Sequence, residues 1–181
     1  MKPIVLLIYC LSVLPLAQAQ KLISKDTHIF FIASTPLEDI EAHNRQAVSI
    51  LDPATGNLAF NLLVKSFEFK VKLMQEHFNE NYVESDKYPK STFNGKITNN
   101  ANINYKKDGV YEADVTGDLT IHNVTKPIAT KGTIEVKEGF VYAKADFIVK
   151  PADYDITIPS VVANKIAKEV QVTVDAKYPT N

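Results

Sequence analysis

The chain has 181 residues, a formal net charge of −1 at pH 7 and a single cysteine, Cys10. Basic and acidic residues are interspersed and form no basic stripe, so nucleic acid is not an expected partner. One cysteine cannot form an internal disulfide, and packing must therefore stabilise the fold.

The first 19 residues have the pattern of a secretory signal peptide. Lys2 precedes an apolar segment over residues 4–16, and Ala17-Gln18-Ala19 is the small-x-small sequence that a signal peptidase accepts. This segment is too short for a spanning helix, which needs roughly 20 apolar residues. We expect residues 1–19 to be removed, leaving one domain over residues 20–181 without a transmembrane segment.

Most of the remaining chain alternates between apolar and polar residues, the pattern of half-buried β-strands. A first strand is expected over residues 28–35 and a second over residues 40–51. Pro36 separates them because proline cannot donate to a β-ladder. The turn at residues 52–57 contains both proline and glycine, which favour tight turns.

In the third segment the apolar residues change from even-numbered to odd-numbered positions. Apolar residues alternate over residues 58–64 and again over residues 67–73, but the second set falls on the opposite parity. Either a β-bulge near Lys65-Ser66 or the start of a new strand would keep both sets inside. Both interpretations place Phe67 and Phe69 in the interior.

The period lengthens to four over residues 73–84, where Met74, Phe78 and Tyr82 recur on one face. This spacing predicts a short amphipathic helix between two strands. The helix either bounds a pocket at one mouth of a barrel or plugs the barrel end, and the two interpretations are compatible.

Alternation resumes after the helix. Strands are expected from about residue 91, over residues 113–121, 128–136 and 141–149, and over residues 170–178. Before the last strand, the apolar stretch at residues 161–166 predicts one or two helical turns. The predicted fold is all-β, a single antiparallel barrel of about eight strands with a short helix inserted at residues 73–84. Such a barrel closes without edges and can hold one small ligand.

The predicted interior combines small residues with bulky ones. The small ones are Gly95, Ala113, Gly117, Gly132, Ala143, Ala145 and Ala176. They either leave an apolar cavity or mark close strand packing around a solid core. The predicted pocket lining is Phe60, Leu62, Phe67, Phe69, Met74, Phe78, Tyr82, Phe93, Gly117, Leu119, Ile121 and Phe147.

The histidines do not predict a catalytic or metal site. His77 and Glu80 are three positions apart on the helix, a spacing compatible with metal ligation or acid-base chemistry. The other histidines, His28, His43 and His122, are scattered among strands and turns. We expect a solvated polar helix face, no metal and no cofactor, and a structural role for His122 at its turn.

Two segments are more specific than the alternation. They are residues 76–82, Glu-His-Phe-Asn-Glu-Asn-Tyr, and residues 117–128, Gly-Asp-Leu-Thr-Ile-His-Asn-Val-Thr-Lys-Pro-Ile. With Tyr88-Pro89 and residues 93–95, they resemble the YceI-like family. The resemblance implies a lipocalin-like barrel in the bacterial periplasm that binds polyisoprenoid or another long-chain lipid.

The leading hypothesis is a periplasmic or secreted binding protein for a polyisoprenoid, isoprenoid quinone, fatty acid or fatty amide. It would store or transport this ligand without covalent chemistry, and a homodimer is possible. One alternative is an enzyme acting on a lipid in the barrel, with His77, Glu80 or His122 as acid-base groups. Another is a structural or stress-related protein with a filled core.

Overall fold

The computed structural model describes residues 20–35, 39–158 and 167–180. The predicted signal peptide at residues 1–19 and the predicted helical turns at residues 161–166 lie outside these ranges. Both stay predictions.

The described residues form nine strands and one short α-helix. They are β1 (Leu22–Ser34), β2 (Asp39–Leu51), β3 (Asn57–Leu63), β4 (Glu68–Phe69), α1 (Lys72–His77), β5 (Lys90–Ile97), β6 (Gly109–Ile121), β7 (Val124–Lys137), β8 (Phe140–Val149) and β9 (Val170–Pro179). A π-helical turn over Phe78–Tyr82 continues α1.

Eight of these strands form a closed antiparallel barrel in the order β1-β9-β8-β7-β6-β5-β3-β2. Pairing of β2 with β1, from Leu22 opposite Leu51 to Ser34 opposite Asp39, closes the ring. The ninth strand, β4, pairs with the part of β2 around Ala42. The predicted all-β antiparallel barrel with one short helix is confirmed.

The parity change after β3 arises from a break in the strand. β3 ends at Leu63, a 3₁₀ turn covers Val64–Ser66, and β4 begins at Glu68. The Asn44 side-chain amide donates to the Leu63 carbonyl at 2.9 Å and anchors this break to β2. The new-strand interpretation is therefore correct, and Phe67 is buried as predicted.

The helix differs from its predicted range of 73–84. It begins at Lys72 and its π-helical turn ends at Tyr82, where the Val83 N–H donates to the Phe78 carbonyl at 3.0 Å. An α-helix turns every 3.6 residues, so side chains spaced by four drift around it. A wider π turn makes them drift in the opposite direction and so offsets this, and Phe78 and Tyr82 both pack against the barrel core.

One end of the barrel is filled and covered. Leu51, Ile97, Val141 and Tyr178 are fully buried there. The β5–β6 loop lies over this end, and its Ile103 is buried among them. We call this the closed end.

Polar contacts hold the β5–β6 loop in place. The Asn100 side chain donates to the Pro53 carbonyl at 2.9 Å, and the Tyr105 hydroxyl donates to Asn100 Oδ1 at 2.7 Å. Burial raises the pKa of Tyr105 to about 12, so its hydroxyl keeps the donated proton across the neutral range.

Two glycines face each other across β5 and β6, with Gly95 opposite Gly117. A Cβ added to Gly117 would lie 2.5 Å from the Gly95 Cα and 2.6 Å from the Phe93 Cζ. The Phe93 ring therefore lies over the pair, and only glycine leaves room for it.

Gly117→Ala is expected to lower the free energy of unfolding by about 1–3 kcal/mol, since the added methyl group meets backbone as well as the ring. Urea denaturation measures the change. Thr116→Ala, at the adjacent exposed position, is the control. Equal denaturation midpoints for the two variants would contradict the close-packing explanation.

Candidate ligand-binding site

The barrel interior contains a cavity of about 420 Å³. This volume falls within the roughly 300–1,000 Å³ typical of small-molecule sites. Every strand of the barrel contributes to its wall, because alternate residues of each strand point inward.

The cavity extends along the barrel. Ile97 and Ile134, both fully or nearly fully buried, line it towards the closed end. Met74 and His77 of α1 line it at the opposite end, and His77 is exposed. We call this opposite end the capped end, since α1 and its π turn partly cover it.

Four aromatic rings attach the helix to the barrel at the capped end. Phe31 of β1 is at the centre, with its ring centroid 5.3 Å from Phe67, 5.9 Å from Phe69 and 5.6 Å from Phe78. Phe78 also lies 5.1 Å from Phe69. Tilted and edge-to-face pairs at these distances are favourable. The predicted helix stripe is therefore both a plug and a cavity wall.

Eleven of the twelve residues predicted to line a pocket lie on the cavity wall. They are Phe60, Leu62, Phe67, Phe69, Met74, Phe78, Tyr82, Phe93, Leu119, Ile121 and Phe147. Gly117 is not on the wall, because the Phe93 ring covers it. That these residues contact a ligand stays a prediction.

The predicted small residues divide into two groups. Ala113, Gly132, Ala143 and Ala145 line the cavity, where their size leaves open volume. The other three are not on the wall: Gly95 and Gly117 permit close packing, and Ala176 is fully buried. The sequence analysis offered two explanations for these small residues, a cavity or close strand packing, and the structure contains both.

Several lining residues were missing from the predicted set although they share its alternation. Val115 lies between Ala113 and Gly117 on β6, and Val172 and Val174 belong to β9. Their inward parity was visible in the sequence. Phe31 lies in the strand predicted over residues 28–35, but its sequence pattern did not separate it from the other apolar residues of that strand.

His122 connects three segments at the capped end. It follows β6 with a positive φ of 51°, and Asn123 completes the turn with φ 62°. His122 Nδ1 lies 3.1 Å from the Tyr154 carbonyl, and Nε2 lies 2.9 Å from a Glu84 carboxylate oxygen. Both partners are hydrogen-bond acceptors, so the ring is held from its two sides.

This contact extends the expected structural role of His122 beyond its own turn. The Tyr88 ring packs against it edge-on, with centroids 4.4 Å apart. Glu84 follows the π turn and Tyr154 belongs to the 3₁₀ turn after β8. His122 therefore joins the helix exit, the β6–β7 hairpin and the β8–β9 connection.

Ionisable residues are sparse on the described part of the cavity wall. They are His77, Tyr82 and Lys144, and the ammonium group of Lys144 is ion-paired with Asp175 at 3.1 Å. Glu80, the predicted neighbour of His77, is exposed on the π turn. Among the described residues, no group of three or more histidine, cysteine or carboxylate side chains is arranged to hold a metal ion.

The fold and the cavity define a class of protein, the closed antiparallel β-barrels with an apolar interior cavity. Within that class, the chain belongs to the YceI-like family, since the model of the YceI-like domain matches residues 27–178. The family resemblance inferred from residues 76–82 and 117–128 is confirmed.

Solved structures share the fold. A polyisoprenoid binding domain from Saccharophagus degradans, described as implicated in plant cell wall breakdown, matches with a TM-score of 0.76 at 14% identity, covering 89% of this chain and 98% of that chain. BcnA of Burkholderia cenocepacia matches with a TM-score of 0.69 at 17% identity, covering 83% and 95%. A Campylobacter jejuni YCEI protein matches with a TM-score of 0.56 at 16% identity, covering 100% and 99%.

Curated relatives match over a shorter region. A protein of Pseudomonas savastanoi and one of Pseudomonas syringae, each named UPF0312 protein, are 40% identical over 55 residues. This alignment covers 30% of this chain and 25% of each relative, so the match spans about a quarter of their length. Among the described residues, no helix has the length and apolar character needed to cross a membrane.

His122→Asn is expected to lower the free energy of unfolding by about 1–3 kcal/mol, because it leaves the Tyr154 carbonyl without its donor. Asparagine tolerates the left-handed backbone and so isolates the lost contacts. Chemical denaturation measures the change. His77→Asn, at an exposed helix position, should stay within about 0.5 kcal/mol of the original. Equal effects of the two substitutions would show that His122 does not join the segments energetically.

Proposed function

We propose that the protein binds a long-chain amphiphile in the barrel interior and stores or transports it without covalent chemistry. The ligand classes are polyisoprenoid, isoprenoid quinone, fatty acid and fatty amide. The observation that carries this proposal is the apolar cavity of about 420 Å³, which extends from Ile97 to α1.

The cavity matches an apolar chain energetically. Each buried methylene contributes about 0.8 kcal/mol, so a chain that fills the cavity needs few polar contacts for tight binding. Phe60, Leu119 and Phe147 supply apolar wall along its length. A filled core, the alternative from the sequence, does not account for this volume.

The orientation of the ligand follows from the uneven distribution of polar groups. Ile97 and Ile134 surround the inner end, whereas His77 and Tyr82 lie on the wall near the capped end. A hydrocarbon tail placed inward buries the most apolar surface, and a polar head at the capped end keeps access to water. We therefore place the head group beside the helix.

The comparisons support this proposal at the level of the family. One structural relative is described as a polyisoprenoid binding domain, and its fold covers most of this chain. The residue pattern of a signal peptide supports a periplasmic or secreted location. The described wall has three ionisable residues, His77, Tyr82 and Lys144, and the Lys144 ammonium group is paired with Asp175. Acid-base chemistry in the cavity would depend on His77 or Tyr82, so we propose binding rather than catalysis.

Native mass spectrometry of protein purified from its own host tests the proposal directly. We expect a mass increment that lipid extraction removes and that corresponds to one amphiphile. Reproducible absence of any bound amphiphile, together with no uptake of added prenyl lipid or fatty acid, would overturn the proposed function.

Ala113→Phe is expected to weaken binding of a fluorescent fatty acid by about tenfold or more, because the new ring occupies cavity volume. Fluorescence titration gives the Kd, and circular dichroism verifies the fold. Ala59→Phe is the matched control, since Ala59 alternates with the lining residues Leu58 and Phe60 and is not on the wall. Equal affinities of the two variants would contradict binding in this cavity.

A further inference from the structure

Two histidines meet on the outer surface of the barrel, away from the cavity. His28 of β1 and His43 of β2 lie on adjacent antiparallel strands, and His28 Nε2 is 3.0 Å from His43 Nδ1. Their rings are stacked, with centroids 5.2 Å apart and an interplanar angle of 23°. The sequence analysis left both residues without a function, and neither lines the cavity.

Phe30 holds the two imidazoles in this arrangement. Its ring centroid lies 5.1 Å from that of His28 and 5.6 Å from that of His43. It is the strand neighbour opposite His43 in the β1–β2 register. Packing by a third ring reduces the rotamers available to the pair, so the two nitrogens are kept near each other before any ligand arrives.

Glu41 contacts the other ring nitrogen of His43. Its carboxylate oxygen lies 3.3 Å from His43 Nε2 on the same strand. A carboxylate accepts hydrogen bonds, so this contact favours the tautomer with the proton on Nε2, which leaves the lone pair of Nδ1 on the side of His28. Carboxylate–histidine pairs of this kind orient metal-binding imidazoles in many proteins.

The surroundings of His28 favour its neutral form. Burial lowers the pKa of His28, and the positive charge of Arg45 and the proximity of His43 lower it further. Asp175 and Glu41 act in the opposite direction, and the net pKa lies below the ordinary value of 6.5.

We propose that His28 and His43 form a surface site for a divalent transition-metal ion of the class that prefers imidazole ligands. The ion lies between His28 Nε2 and His43 Nδ1, and water completes its coordination. On binding, the proton of His28 is carried on Nδ1, so both rings stay neutral. The barrel presents this site independently of the ligand in its cavity.

Metal binding requires the two rings to reorient at nearly the same nitrogen separation. Metal–imidazole bonds of about 2.0–2.1 Å at a tetrahedral angle place the two nitrogens about 3.3 Å apart. The observed 3.0 Å separation is slightly shorter, and side-chain rotation can supply the difference. The distance is therefore suitable, but the two nitrogens of a hydrogen-bonded pair point at each other, whereas a shared ion lies off the line between them. Each ring must also turn by about 35° to direct its lone pair at the ion.

Carboxylates supply negative charge on the neighbouring strands. Asp175 of β9 is paired with His28, and Glu68 of β4 is paired with His43. Asp175 lies 3.1 Å from the Lys144 ammonium group. Because it is paired there, its negative charge attracts a cation but it does not serve as a metal ligand. Two nitrogen ligands with nearby carboxylates favour Cu²⁺, Ni²⁺ or Zn²⁺ over Mg²⁺, which prefers oxygen.

Isothermal titration with CuCl₂, NiCl₂ and ZnCl₂ tests the site on protein without a polyhistidine tag. We expect one saturable site, with Cu²⁺ bound most tightly and MgCl₂ giving no heat of binding. His28→Ala and His43→Ala should each weaken Cu²⁺ binding by about tenfold or more. Glu41→Gln should weaken it by a smaller factor, since it releases the orientation of His43.

His77→Ala is the matched histidine control and should leave the Cu²⁺ affinity unchanged. Electron paramagnetic resonance of the Cu²⁺ complex provides a test without substitution, because two imidazole ligands give resolved nitrogen coupling. Absence of saturable binding would overturn the proposal. Binding that survives both alanine substitutions in protein shown to be folded by circular dichroism would overturn it as well.

Discussion

Closure of the sheet by pairing β1 with β2 is the constraint on which the rest of the structure depends. These strands pair from Leu22 opposite Leu51 to Ser34 opposite Asp39, and without that pairing both would be unpaired sheet edges. Successive side chains of each strand point to opposite faces of the sheet, and closure makes one face the barrel interior and the other its outer surface. Every inward side chain then borders either the packed closed end or the cavity, and every outward one faces solvent or a surface neighbour.

Side-chain volume decides how this interior is used. Fully buried Leu51 and Tyr178 fill the closed end, whereas Ala113 and Ala143 leave space along the middle. Aromatic rings around Phe31 then cover the capped end. The outer face of the same strands carries the histidine pair. His28 and His43 alternate with inward residues and meet where β1 and β2 are paired.

Much of the fold followed from local pattern. The strand predicted over residues 40–51 is β2, Asp39–Leu51, and the strand predicted over residues 170–178 is β9, Val170–Pro179. The start of β1 at Leu22 was missed because register irregularities between Ser24 and Ile29 break the alternation. Serine and threonine also point inward there, in buried hydroxyl contacts that no apolar pattern indicates.

By itself, the sequence determined which side chains share a face, because the two-residue period of a strand is a local property of the backbone. That is why most of the predicted lining residues lie on the cavity wall. Only the tertiary structure decided which distant residues meet. Phe93 covers Gly117, His28 faces His43 across 15 positions, and His122 binds Glu84 across 38 positions. These contacts depend on strand register and closure, which no single segment specifies.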